Sequence, residues 1–175
     1  MLFVTSIVRK TAYCYCLLLL PTITPAQGIQ FEQGTFAETL AKAKSEGKLV
    51  FLDAYTSWCG PCKVMSKEVF PDSSAGAFFN KNFLNVKFDM ERGEGLDISS
   101  RYGVWVYPTL LFLDGSGEVQ HRSAGYHNPQ ELIALGTTAL DPTRNLAALE
   151  KQYASGNRRR EFLLKYLEAK TAAYD

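Results

Sequence analysis

Apolar positions along the chain change period several times, and each change marks an element. Lys48-Leu49-Val50-Phe51-Leu52-Asp53-Ala54 is apolar on both faces, the pattern of a central strand covered twice. Phe83 to Asp89 alternates with period two, as a half-buried strand does. Thr109–Leu113 and Glu118–Arg122 flank Asp114-Gly115-Ser116-Gly117, which reads as a hairpin. Helical spacing fills the intervals. Thr35-Phe36-Ala37-Glu38 matches a capping box, and the helix it opens runs to Gly47. A helix is expected from about Cys59 to Phe70, stopping before Pro71, and Asp72 caps the next through Phe78 and Phe79. Glu94 to Arg101 predicts a short helix closed by Gly103. Asn128-Pro129 opens another to about Leu140. Gly28-Ile29-Gln30-Phe31 is expected to add a short first strand.

This order predicts one layered α/β domain over residues 28–140, a central mixed sheet flanked by helices. Residues 141–175 follow as a helical extension. Asp141-Pro142 starts a helix through Tyr153, and Ser155-Gly156-Asn157 breaks it. Arg158 to Tyr174 then carries Phe162, Leu163, Tyr166 and Leu167 on one stripe. Two helices around a short turn form a helical hairpin, read either as docked on the domain or as the start of a longer helical region.

Residues 1–27 have a different layout. Arg9 and Lys10 precede a mostly apolar stretch from Thr11 to Leu20, and Pro21 to Gln27 supply a helix-breaking exit of small and polar residues. The apolar run is shorter than the ~20 residues that span a bilayer, so the expectation is a secretory signal peptide cleaved after Ala26. The product is then periplasmic or secreted, with no stable membrane insertion. A net charge of +1 gives no reason to expect a nucleic-acid partner. Export also changes the cysteine count: Cys14 and Cys16 leave with the signal, and only Cys59 and Cys62 remain.

Trp58-Cys59-Gly60-Pro61-Cys62 lies between the central strand and a helix. A bridge across two residues closes almost no loop and so stabilises little. Redox chemistry explains the pair better. The spacing offers Cys59 to solvent at a helix N-terminus, with Cys62 one turn behind it. The positive helix end favours a thiolate by roughly 0.3–2 kcal/mol, which lowers the thiol pKa by about one unit. Gly60 and Pro61 allow a tight entry into the helix. Asp53, at the end of a buried strand, is expected to have a raised pKa and to exchange a proton with Cys62.

These residues resemble the thioredoxin family over about residues 28–140. Asp53 stands six residues before Cys59, as the family's buried acid does. Tyr107-Pro108-Thr109 is similar to the family's cis-proline element, and Gly125 to its glycine near the active face. The resemblance implies a cis Pro108 packed against the cysteines and a Tyr107 backbone that pairs with an extended substrate. Trp58, Gly60, Pro61, Tyr107, Pro108 and Gly125 would then contact substrate, while Cys59, Cys62 and Asp53 carry the chemistry. The family's lysine beside the buried acid has no clear match: Asn85 falls nearest, and Lys87 is expected to face differently. Tyr55, Trp58, Trp105 and Tyr107 are read either as shaping substrate choice or as core packing.

The expected function is an exported thiol–disulfide oxidoreductase that reduces or isomerises protein disulfides. It needs no cofactor beyond the Cys59–Cys62 pair. Its partners are protein or peptide thiols and disulfides, and a soluble or membrane-linked thiol reductant. The alternative is a non-catalytic peptide-binding or assembly module with a partner-recruiting helical tail. A zinc site built from Cys59, Cys62, His121 and His127 is disfavoured, because the cysteines and histidines are separated far beyond a finger's spacing. His121 reads as a surface strand residue and His127 as a turn residue.

Overall fold

A computed structural model describes residues 27–174 of the chain. The expected signal segment therefore falls outside the described residues, Gln27 excepted. Four strands form one sheet in the order β2-β1-β3-β4, with β1 at Leu49–Tyr55, β2 at Phe83–Asp89, β3 at Thr109–Leu113 and β4 at Val119–Ala124. β2 runs parallel to β1, β3 antiparallel to β1, and β4 antiparallel to β3. Strand alternation sends Val50, Leu52 and Ala54 of β1 to one face and Phe51 and Asp53 to the other.

Each face has its own core. Helices α1 (Phe36–Glu46) and α4 (Gly95–Tyr102) cover Val50, Leu52, Leu84, Val86, Leu111 and Leu113. The opposite face packs Phe51, Phe83, Leu110 and Phe112 beneath α3 (Ser73–Asn82) and α5 (Pro129–Leu140), with Phe79 and Leu132 as the helical contributions. Phe51, Phe79, Phe83 and Phe112 form a connected ring cluster, with centroids between 4.6 and 6.4 Å apart. A capping box at Thr35/Glu38 starts α1 as the sequence implies, and α5 starts at Asn128-Pro129 with a second box, Asn128/Glu131, that the structure adds.

Away from the cysteine pair, the structure departs from expectation in four places. The segment from Gly28 to Phe31 is not a strand. Its backbone is held one bond at a time, by Ile29 N–H to the Phe70 carbonyl at 2.7 Å, Gln30 N–H to Asn80 Oδ1 at 2.8 Å and Asn85 Nδ2 to the Gln30 carbonyl at 3.1 Å. The helix after Cys59 is regular only over α2 (Gly60–Val64). It then widens into a π-helical turn, Met65–Val69, where the Phe70 N–H reaches back five residues to Met65. Asp141-Pro142 forms a side-chain-closed turn rather than a helix start, with Asp141 Oδ1 accepting from Thr143 N–H at 2.8 Å. Helix α6 begins instead at Leu146–Ala154, capped by Asn145.

The fourth departure is His121. It is only 7% exposed, because α6 and α7 (Arg160–Ala173) pack along β4, the edge strand of the sheet. Its Nδ1 accepts the first N–H of α6, from Leu146, at 3.2 Å. Burial pushes the imidazole pKa down to about 4. The helical extension is thus docked on the domain, and its stripe is used unevenly: Phe162 is buried, while Leu167 is exposed.

Candidate active site

The cysteine pair sits where β1 ends and α2 begins. After Tyr55 the chain turns, closed by Cys59 N–H to the Thr56 carbonyl at 3.2 Å. Cys59 is the N-cap of α2, and Pro61 occupies the first turn, where its missing N–H costs no helical bond. Cys59 and Cys62 are joined by a disulfide with Cα atoms 5.3 Å apart. The Cys62 N–H points at Cys59 Sγ, 3.1 Å away. The same donor, together with the helix end, stabilises negative charge on that sulfur when the bond is opened. Against expectation, the disulfide leaves Cys59 almost closed to solvent, at 3% exposure beside 6% for Cys62. Its flanking residues Trp58, Gly60 and Pro61 are the exposed ones.

A cleft of about 180 Å³ opens on the Cys62 side, lined by Asp53, Thr56, Cys62, Ser66 and Lys87 among others. Asp53 is buried, and its Oδ1 has no hydrogen-bond partner among the described residues. Removal from water raises its carboxyl pKa from 3.8 to about 7, and the nearby Lys87 charge limits the rise. Lys87 therefore does face the acid. In the parallel register Asp53 is the partner of Lys87, and side chains of register partners share a face. Asn85, the nearer match in sequence, is instead spent on Gln30 and Asn80.

The loop before β3 lies at the same end of the sheet, since Thr109 pairs with Ala54 of β1. The Tyr107–Pro108 peptide bond is cis, and Thr109 Oγ1 ties the loop through the Val106 carbonyl at 2.7 Å. The Gly125 N–H donates to the Pro108 carbonyl at 2.8 Å. Gly125 has φ +93, a conformation that favours glycine. Trp58 stands edge-on to Tyr107, ring centres 5.8 Å apart, and its indole N–H reaches the Glu91 carboxylate at 3.0 Å. Glu91 was not among the residues singled out from sequence; no short-range pattern links it to Trp58.

All the residues expected at the site are thus brought to the same end of the sheet. Of the two histidines, His121 is committed to α6 and His127 Nε2 lies 3.0 Å from Ser123 Oγ. Among the described residues no group of three or more histidines, cysteines and acids is placed to hold a metal ion. No helix among them is long and apolar enough to cross a membrane.

Residues 36–140 match the thioredoxin-like domain family, and the chain belongs to that family. Among solved structures, a Bacteroides thetaiotaomicron protein described as a candidate disulphide-isomerase is 46% identical, with a TM-score of 0.59 over 67% of this chain and 98% of that one. The thiol:disulfide interchange protein DsbD of Pseudoalteromonas atlantica is 30% identical over 84 residues, which are 47% of this chain and 14% of DsbD. An H-type thioredoxin of Oryza sativa is 36% identical over 83 residues, 47% of this chain and 63% of that protein. The chain thus spans only a small part of DsbD but nearly all of the Bacteroides structure.

Proposed function

We propose that the chain is an exported oxidoreductase that reduces or isomerises disulfides in protein or peptide substrates. The observation that carries this reading is a disulfide closed across the first turn of a helix, with Cys59 as N-cap and a buried acid near pKa 7 behind Cys62. In the reduced state the Cys59 thiolate attacks one sulfur of a substrate disulfide. A mixed disulfide forms and the first substrate thiolate leaves. Cys62 then gives its proton to Asp53 across the cleft, attacks Cys59 Sγ, and expels the second substrate sulfur as a thiolate. Two electrons pass from the Cys59/Cys62 dithiol to the substrate, leaving the bridge present in the structure.

The pair is itself the redox centre, so the cycle calls for a thiol reductant, soluble or membrane-linked, and no bound cofactor. Tyr107, Pro108 and Gly125 form the surface for an extended substrate segment, with Trp58, Gly60 and Pro61 at its other border. Gly60-Pro61 between the cysteines resembles the reducing members of the family, and the isomerase name of the similar Bacteroides protein supports isomerisation. Export rests on the layout of residues 1–27. Insulin-disulfide reduction is the test. The wild type turns over and Cys59→Ser does not; activity surviving in Cys59→Ser contradicts the mechanism and favours a binding module.

A further inference from the structure

Three aromatic side chains near the disulfide are exposed to a degree the core does not explain: Trp58 at 63%, Trp105 at 79% and Tyr174 at 68%. Together with Tyr107, Ala124 and Gly125 they line one cavity of about 340 Å³. Tyr174 is the outsider among them. It comes from the end of α7, far outside the residues that match the family. Several contacts hold it there. α7 packs on β4, Ala173 is fully buried, and Tyr174 closes the helix with φ 54, its N–H returning to the Lys170 and Thr171 carbonyls. The hairpin is tied down further by the Leu146–His121 bond.

We infer that the C-terminal helix completes the substrate site: Tyr174, Trp105 and Trp58 wall a subsite for a large apolar side chain of an extended polypeptide, next to the substrate's disulfide-bonded cysteine. This rests on the oxidoreductase reading above and narrows its substrate class. The lining carries no charged residue, so a charged occupant gains no partner on entering. The volume lies at the low end of the ~300–1,000 Å³ typical of ligand pockets, which suits a side chain or two rather than a folded surface. Exposed aromatic groups clustered beside a reactive centre gain most from covering by another apolar group. Continuity supplies the rest. Trp58 precedes Cys59 in sequence, and Tyr107 precedes Pro108, so a chain lying along the cis-proline loop passes directly over this cavity. Small hydrophilic disulfides such as oxidised glutathione have nothing to place in it.

The test uses the full chain and two synthetic peptide disulfides of equal net charge, one with Phe and one with Ser beside the cysteine. The wild type is expected to prefer the Phe peptide in kcat/KM by about tenfold, mainly through KM. In Tyr174→Ala that preference falls close to one, and in Tyr174→Phe it stays. Trp105→Ala lowers it as well. Equal turnover of both peptides by the wild type, or an undiminished preference in Tyr174→Ala, overturns the inference alone. Failure of the wild type to reduce either peptide or insulin overturns the oxidoreductase reading together with it.

Discussion

Lys87 lies directly across the β1–β2 ladder from Asp53, in register and on the face of the sheet that carries Cys62. The relationship sets the working pH of the buried acid. Desolvation alone pushes the carboxyl up, and the ammonium draws it back to about 7, where it can both accept and return a proton. Lys87→Met is expected to move the acid limb of the pH–kcat/KM profile to higher pH. An unchanged profile would mean that the lysine charge does not reach the carboxyl.

Asp53→Asn should stabilise the protein. The folded state raises the acid's pKa from 3.8 to about 7, so it binds a proton more tightly than the unfolded chain. Stability therefore falls as pH rises between these values, by roughly 4 kcal/mol at most. The variant removes that loss and is expected to unfold at higher urea at pH 8, with a slower resolving step. Equal midpoints at pH 8 would contradict a buried, strained carboxyl.

His121 acts with the opposite sign. Its pKa falls from 6.5 to about 4 on folding, so the unfolded chain binds the extra proton and stability rises with pH across that window, by roughly 3 kcal/mol. Protonation also ends its acceptance of the Leu146 N–H. Between about pH 4 and 6.5 the two groups nearly cancel. His127, whose pKa burial also lowers, adds a rise with pH, so relative to the wild type the profile of His121→Gln should tilt toward falling and that of Asp53→Asn toward rising, read by urea denaturation at half-unit pH steps.

Gly125→Ala separates backbone strain from substrate access. The glycine's φ of +93 disfavours any side chain, at about 1–2 kcal/mol, yet an added Cβ meets nothing within 4 Å. A drop of several degrees in Tm is expected, with a larger relative loss of kcat/KM on insulin than on a small disulfide reagent. Equal losses on both substrates would assign Gly125 to stability only.

Much of this was legible in the amino-acid order, and for local reasons. The strand from Leu49, the β3–β4 hairpin, the Thr35/Glu38 capping box and the Asn128-Pro129 helix entry are short-range signals, and Cys59, Pro61 and Cys62 lie within a single turn. What escaped reading depends on distant partners. His121 looks like a surface residue until α6 covers it. Lys87 faces Asp53 because its face is set by register against β1, which no short-range pattern carries. The π-helical turn at Met65–Val69 has no marker residue, and Gly28 to Phe31 is held by side chains of Asn80 and Asn85 rather than by a ladder. Asp141-Pro142 looked like a helix entry, but Asn145 is the residue whose side chain caps an N–H, that of Ala148.

The thiol chemistry of the reduced protein tests the account most directly. Alkylation by iodoacetamide across pH 5–10, followed by peptide mass analysis, should label Cys59 first with an apparent pKa below the ordinary ~8.5, and Cys62 slowly. A Cys59 that stays unreactive below about pH 9, or one no faster than Cys62, would contradict the assignment of Cys59 as the attacking sulfur.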